Sequence, residues 1–168
     1  MKEIQNILKR LDSIERKLDM LVDGRAKSSF GESNIWKDSI LLPGYYTQDE
    51  AIEACPKGYR LPTREEFVQL VEDTEYVFDE DKKVGVFTFP DGFKVEFPAA
   101  GYRNASNGSL NNVGSNGYYW SPSPNGGSGY NLYFSSGNVY PSYYNYRAYG
   151  FSVRCIKNSK IIDELSRE

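Results

Sequence analysis

Between residues 130 and 149 the sequence runs YNLYFSSGNVYPSYYNYRAY, seven tyrosines set among serine, asparagine and glycine. The chemistry those residues offer is recognition. A phenol presents a large, rigid, amphipathic surface with only two side-chain torsions to freeze, and Ser, Gly and Asn add adaptable hydrogen bonds. Tyr140, Tyr143, Tyr144, Tyr146 and Tyr149 fall within ten residues, beside the polar Ser142, Asn145 and Arg147. Five phenols at that spacing cannot all enter one core, so several must stand exposed together, and such patches mark interaction sites. Tyr102, Tyr118 and Tyr119 read instead as half-buried strand residues with their hydroxyls in water.

Other chemistries are poorly supplied. The 168 residues contain no histidine, which removes Ser-His-Asp and Cys-His catalysis and any imidazole metal site. Residues 97–162 contain no Asp or Glu, so this half builds neither a calcium site nor a paired-acid glycosidase centre. Phosphate-loop and dinucleotide fingerprints are absent, and no cofactor is expected. The acids Asp79, Glu80 and Asp81 read as a solvated turn. Only Arg147 and Arg154 lie among the tyrosines, too few for a groove that tracks a nucleic-acid backbone. The expected class is a binding protein with no enzyme activity and no nucleic-acid partner.

The composition is that of one domain with a small appendage: 39% apolar and 26% charged residues, net charge -3. Aromatics make up 15%, and tyrosine supplies 14 of the 25. No run of eighteen apolar residues is present, so no membrane insertion is expected. The charged start lacks a signal-peptide pattern, which favours a virion-associated or cytoplasmic setting over secretion. For Cys55 and Cys155 two buried free thiols are the ordinary reading in the cytosol; a bridge between them is the alternative.

The elements that must position the tyrosines are legible in part. Ile4, Ile7, Leu11, Ile14, Leu18 and Leu21 fill a and d positions of nearly three heptads over 1–23, an oligomerisation helix. Leucine at a with isoleucine at d, and apolar Leu8 and Val22 at e, lean away from dimers towards trimers or tetramers; a parallel trimer is the favoured reading. A single helix docked on its own domain is the alternative. Residues 24–34 read as a linker, and 159–168 as a tail.

In the domain between them, over 35–158, Thr47-Gln48-Asp49-Glu50 and Thr63-Arg64-Glu65-Glu66 are capping boxes opening two short helices. Phe67, Leu70 and Val71 form the buried stripe of the second. Phe87 and Phe89, then Phe93, Val95 and Phe97, alternate around Pro90-Asp91-Gly92 as a hairpin. Further on, strands are expected at 130–135, with Leu132 and Phe134 inward and Asn131 and Tyr133 outward. A last strand places Phe151, Val153 and Cys155 inward, with Ser152 and Arg154 outward. The span between reads as a long ordered loop.

Four segments, CPKGYRLPTREEF (55–67), FPAAGYRN (97–104), GYYWSPSP (117–124) and YGFSVRCIK (149–157), resemble the Fibrobacter-type major paralogous domain. They equally resemble the C-type-lectin-fold variable proteins of diversity-generating retroelements. The resemblance spans about 35–157 and leaves out the coil. It implies an α+β, C-type-lectin-like fold whose last part is rewritten by adenine-directed mutagenesis, a process that turns Asn codons into Tyr, Ser, Gly or Asp. By position, Tyr130, Tyr133, Ser135, Tyr140, Ser142, Tyr143, Tyr144, Tyr146 and Tyr149 then become variable contact residues. Trp120, Leu132, Phe134, Val139, Phe151 and Val153 become fixed framework. The Glu-Pro-Asn and Trp-Asn-Asp calcium signatures of lectins proper are missing. The expected function is display of a diversified face that binds a protein or glycan target, multivalent through the coil, as in phage receptor binding. A structural or assembly subunit with a fixed tyrosine interface is the alternative.

Overall fold

A computed structural model describes residues 1–22, with side chains to residue 15, and 34–158. The linker expected over 24–34 and the tail over 159–168 lie outside the described residues, apart from Asn34. The protein is α+β, with short helices and small antiparallel sheets. Helix α1 (Lys2–Val22) is followed by a helical turn, α2 (Asn34–Lys37).

Both capping boxes form. Thr47 caps α3 (Gln48–Ala54), its hydroxyl accepting from the Glu50 N–H while the Glu50 carboxylate accepts from the Thr47 N–H. Thr63 and Glu66 do the same for α4 (Arg64–Asp73), whose Phe67 and Leu70 are buried. Burial alone would raise the Glu66 carboxyl. The Arg60 guanidinium, 2.6 Å away, and the Thr63 N–H overcome that effect and hold it below the ordinary glutamate range.

Three further strand groups complete the frame. Strand β1 (Ile40–Leu41), the last strand β11 (Arg154–Lys157) and β2 (Tyr59–Arg60) make one sheet in the order β1-β11-β2, which joins the two ends of the domain. Strands β3 (Glu75–Asp79), β4 (Val84–Thr88) and β5 (Lys94–Pro98) make a second. The expected hairpin is β4–β5, and the Asp79 carboxylate nucleates the preceding turn by accepting from the Asp81 and Lys82 N–H groups. Strands β6 (Tyr102–Arg103) and β7 (Leu110–Asn111) form a small ribbon.

Residues 117–146, expected to be largely loop, form instead a three-stranded sheet. Its strands are β8 (Gly117–Asn125), β9 (Ser128–Phe134) and β10 (Val139–Tyr146), ordered β10-β9-β8. Tyrosine is a strand former whose ring packs on a pleated surface, and that preference prevails over the loop-like Ser/Asn/Gly content.

Two aromatic clusters lie beneath. One gathers Trp36, Phe67, Phe87, Phe97, Tyr119 and Phe134; the other Trp120, Phe151, Val153, Leu61, Tyr118 and Cys155. Adjacent Tyr118 and Tyr119 thus serve opposite clusters, as the period of a strand requires. Tyr119 is fully buried, not half-buried, and donates its hydroxyl to the Pro98 carbonyl at 2.6 Å. Cys55 and Cys155 form a disulfide that spans 100 residues, which replaces the reading of two free thiols. The strand that begins at Arg154 places Cys155 beside α3, and Cys155 and Ile156 are both buried.

Candidate binding face

The face is carried by β9, β10 and the turn beyond β10. Register pairs Tyr140 with Tyr133, Tyr143 with Asn131 and Tyr144 with Tyr130, with a bulge between Tyr140 and Tyr143. A bulge adds a residue and swings the strand, so Tyr140 and Tyr143, three residues apart, lie on the same side with ring centroids 5.9 Å apart. Tyr140, Tyr143, Tyr144 and Tyr146 are 44–67% exposed, while Tyr130, Tyr133, Tyr149, Ser135 and Ser142 are half-buried.

All seven tyrosines of 130–149 belong to one continuous array of rings. It runs Tyr130–Tyr144–Tyr143–Tyr140–Tyr133, then through Tyr118 and Tyr102 to Tyr149 and Tyr146, with successive centroids 5.0–6.4 Å apart. Tyr102 and Tyr118 therefore join the face, a role their sequence context did not suggest. Ser142 accepts a hydrogen bond from Arg64 Nε at 3.1 Å, and the same guanidinium lies 4.1 Å above the Tyr130 ring. Ser135 sits at the end of β9, where its carbonyl accepts from the Tyr76 hydroxyl.

Beneath the face, several polar or small residues are fixed in place. Asn131, expected outward, is fully buried: β9 is the central strand, and its outer side is covered from both neighbours. Asn131 Oδ1 accepts from Asn145 Nδ2 at 3.2 Å. Gln48 at the start of α3 is also fully buried and donates to the Ser121 and Ser123 carbonyls, holding the bulge of β8. A Cβ on Gly129 would lie 2.4 Å from the Gln48 amide, and one on Gly117 would lie 2.1 Å from the Phe134 ring. Ser152, also expected outward, is buried because its N–H donates to the Tyr118 carbonyl and its carbonyl accepts from the Trp120 N–H. Arg147 is tied away from the rings by an ion pair with Asp49.

The face is electrically quiet. Burial first, and the neighbouring Tyr118 phenol second, push the hydroxyls of Tyr102 and Tyr133 above the ordinary tyrosine range. These two stay neutral at physiological pH.

Fold and site together define a small α+β domain that presents a broad aromatic face on an antiparallel sheet. The chain belongs to a family described as a domain of unknown function (DUF8237), whose model matches residues 70–156. That match takes in the three-stranded sheet and every tyrosine of the array. No curated protein and no solved structure matches the chain. Among the described residues, no helix is long and apolar enough to cross a membrane.

Proposed function

We propose that this protein is a ligand-display module of the C-type-lectin type, whose tyrosine face is diversified to bind a protein or glycan target. The observation that carries the reading is the continuous ring array: residues chosen by type and position from the sequence lie side by side on one surface. Beneath them, Trp120, Leu132, Phe134, Phe151 and Val153 are all at most 1% exposed, as a fixed framework requires. The joined ends of the domain, the two capped helices and the long excursion between them support the lectin-like fold. The disulfide supports a setting outside the reducing cytosol, such as a virion.

Helix α1 supports multivalency. It meets the domain through its polar side, where Ser13 is buried and donates to Asp73 at 3.4 Å. Its apolar stripe is left open, with Ile4, Ile7, Leu11 and Ile14 at 50–59% exposure. A stripe of that kind needs a partner helix, and the module is a parallel trimer. Three linked sites would raise avidity by about 10²–10⁴ where the target geometry permits. Light scattering on the full chain is expected to give three times 19.1 kDa; a monomer at working concentration would remove the multivalent part of the reading.

The test of display is the sequence of this gene across a population, over codons 117–155. Substitutions are expected at Tyr130, Tyr133, Ser135, Tyr140, Ser142, Tyr143, Tyr144, Tyr146 and Tyr149. Constancy is expected at Trp120, Leu132, Phe134 and Phe151, and also at Gly117, Gly129 and Asn131, whose residue types resemble the variable set but whose surroundings forbid change. A uniform stretch would mean that the tyrosines serve one fixed partner, as in an assembly subunit.

A further inference from the structure

The middle of the ring array is concave. Tyr102, Tyr118, Tyr133, Tyr140, Tyr143 and Tyr149 wall a cavity of about 420 Å³, with Phe151 in its lining and Asn138 and Asn145 among its polar groups. That volume lies in the range of small-ligand sites. Given the reading of the face as a partner-binding surface, on which this step rests, we infer that the cavity seats a cationic head group. Its occupant is the ammonium or guanidinium end of a lysine or arginine side chain presented by the partner.

Three observations carry this. First, the lining is aromatic and uncharged: none of its residues is Lys, Arg, Asp or Glu. A ring face carries the negative end of the quadrupole and a phenol oxygen offers lone pairs, so a site walled by neutral tyrosines can take a cation. Second, arginines of this chain already use nearby tyrosines in that way. Arg64 lies 4.1 Å above Tyr130, and Arg103 lies 5.4 Å from the centroid of Tyr45. Among the described residues, no Lys or Arg is placed over a ring of the cavity wall in the same manner. Third, the rings are set in advance. Asn116 Nδ2 donates to the hydroxyls of both Tyr118 and Tyr133, at 3.3 and 3.2 Å, and Asn112 Nδ2 donates to Tyr118 at 3.2 Å. Preset walls cut the ordering cost of binding. A neutral sugar would call for several convergent amides or carboxylates; the chain has no acid between 97 and 162, and of the two amides at the cavity, Asn145 already donates to Asn131.

The experiment is an NMR titration of the full-length chain, read at the tyrosine ring signals, with choline and with its uncharged carbon isostere 3,3-dimethylbutan-1-ol. Saturable shifts at Tyr133, Tyr140 and Tyr143 are expected with choline. The neutral isostere is expected to bind at least about five-fold more weakly, the factor a partly exposed cation–π contact supplies. Tyr140→Ala combined with Tyr143→Ala should abolish the choline shifts. Tyr146→Ala, outside the cavity wall, should leave them. Equal or tighter binding of the isostere would reduce the cavity to an apolar hollow and overturn the inference. So would the absence of saturable choline shifts, or tighter binding of methyl α-glucoside, which would assign the cavity to a glycan. None of these results bears on display, which the population sequences decide; conversely, a uniform gene would remove display without altering the titration.

Discussion

Replacing Cys55 and Cys155 together by alanine, or reducing the bridge, is expected to lower the melting temperature by about 10–20 °C. The bridge closes a span of 100 residues, and in the chain-entropy model such a loop constrains the unfolded state by roughly 4–5 kcal/mol. The enclosed span holds α4, strands β3 to β10 and therefore the whole tyrosine face. Cys155 is fully buried within the Trp120–Phe151 cluster, so a polar replacement there would add the cost of an unpaired hydroxyl; alanine avoids that confusion. The check is a thermal melt with and without reductant, alongside the double variant. A melting temperature unmoved by both would mean that the thiols are not joined in solution, and the ordinary reading of two buried cysteines would return.

Why the sequence left that pairing open is instructive. Two cysteines a hundred residues apart carry no local signal. What brings them together is the pairing of Ile40 with Cys155 and of Ile156 with Arg60, in strands of two to four residues. Such short strands have no period to detect. The helices were legible because their signals are local: Thr47 with Glu50, Thr63 with Glu66, each three residues apart. The β4–β5 hairpin was legible for the same reason, with Pro90-Asp91-Gly92 between two alternating runs.

The tyrosine region divided differently. The exposure of several tyrosines was readable from residue type, since five phenols in ten residues leave few places to go. The region's architecture was not. Pro122, Pro124 and Pro141 and the bulges in β8 and β10 interrupt the alternation, and Asn, Ser and Gly are the residues of turns. The same vocabulary hid the difference between exposed residues and supporting ones. Asn131 and Gly129 look interchangeable with their neighbours in the sequence, yet one is sealed between strands and the other faces the Gln48 amide. The open cavity among Tyr102, Tyr118 and Tyr133 depends on the separate loop holding Asn112 and Asn116, a contact that no spacing within the face foretells.

The second large effect separates those two roles along one strand pair. Phe134→Ala is expected to cost about 3–5 kcal/mol, the range for truncating a fully buried phenylalanine. Phe134 has no exposed surface, and its ring meets Tyr76, Phe78, Phe87 and Tyr119 with centroids 6.0–6.5 Å apart. Gly85 and Gly117 both give way to it: a Cβ on either would come within 3 Å of the ring. The cavity left by alanine would open between the β3-β4-β5 sheet and the β10-β9-β8 sheet, among the rings of Tyr76, Phe87 and Tyr119.

By contrast, Tyr144→Ala and Tyr146→Ala, at 58% and 67% exposure, are each expected to change stability by no more than about 0.5 kcal/mol. Urea denaturation of the three variants checks the contrast, with the midpoint shifting for Phe134→Ala alone. Comparable losses at Tyr144 would mean that the outer rings hold the sheet together, and a face that holds its own fold together cannot be rewritten freely. A flat response at the outer tyrosines is the physical condition for diversification: chemistry at the surface can change while the packing under it, a residue away, does not.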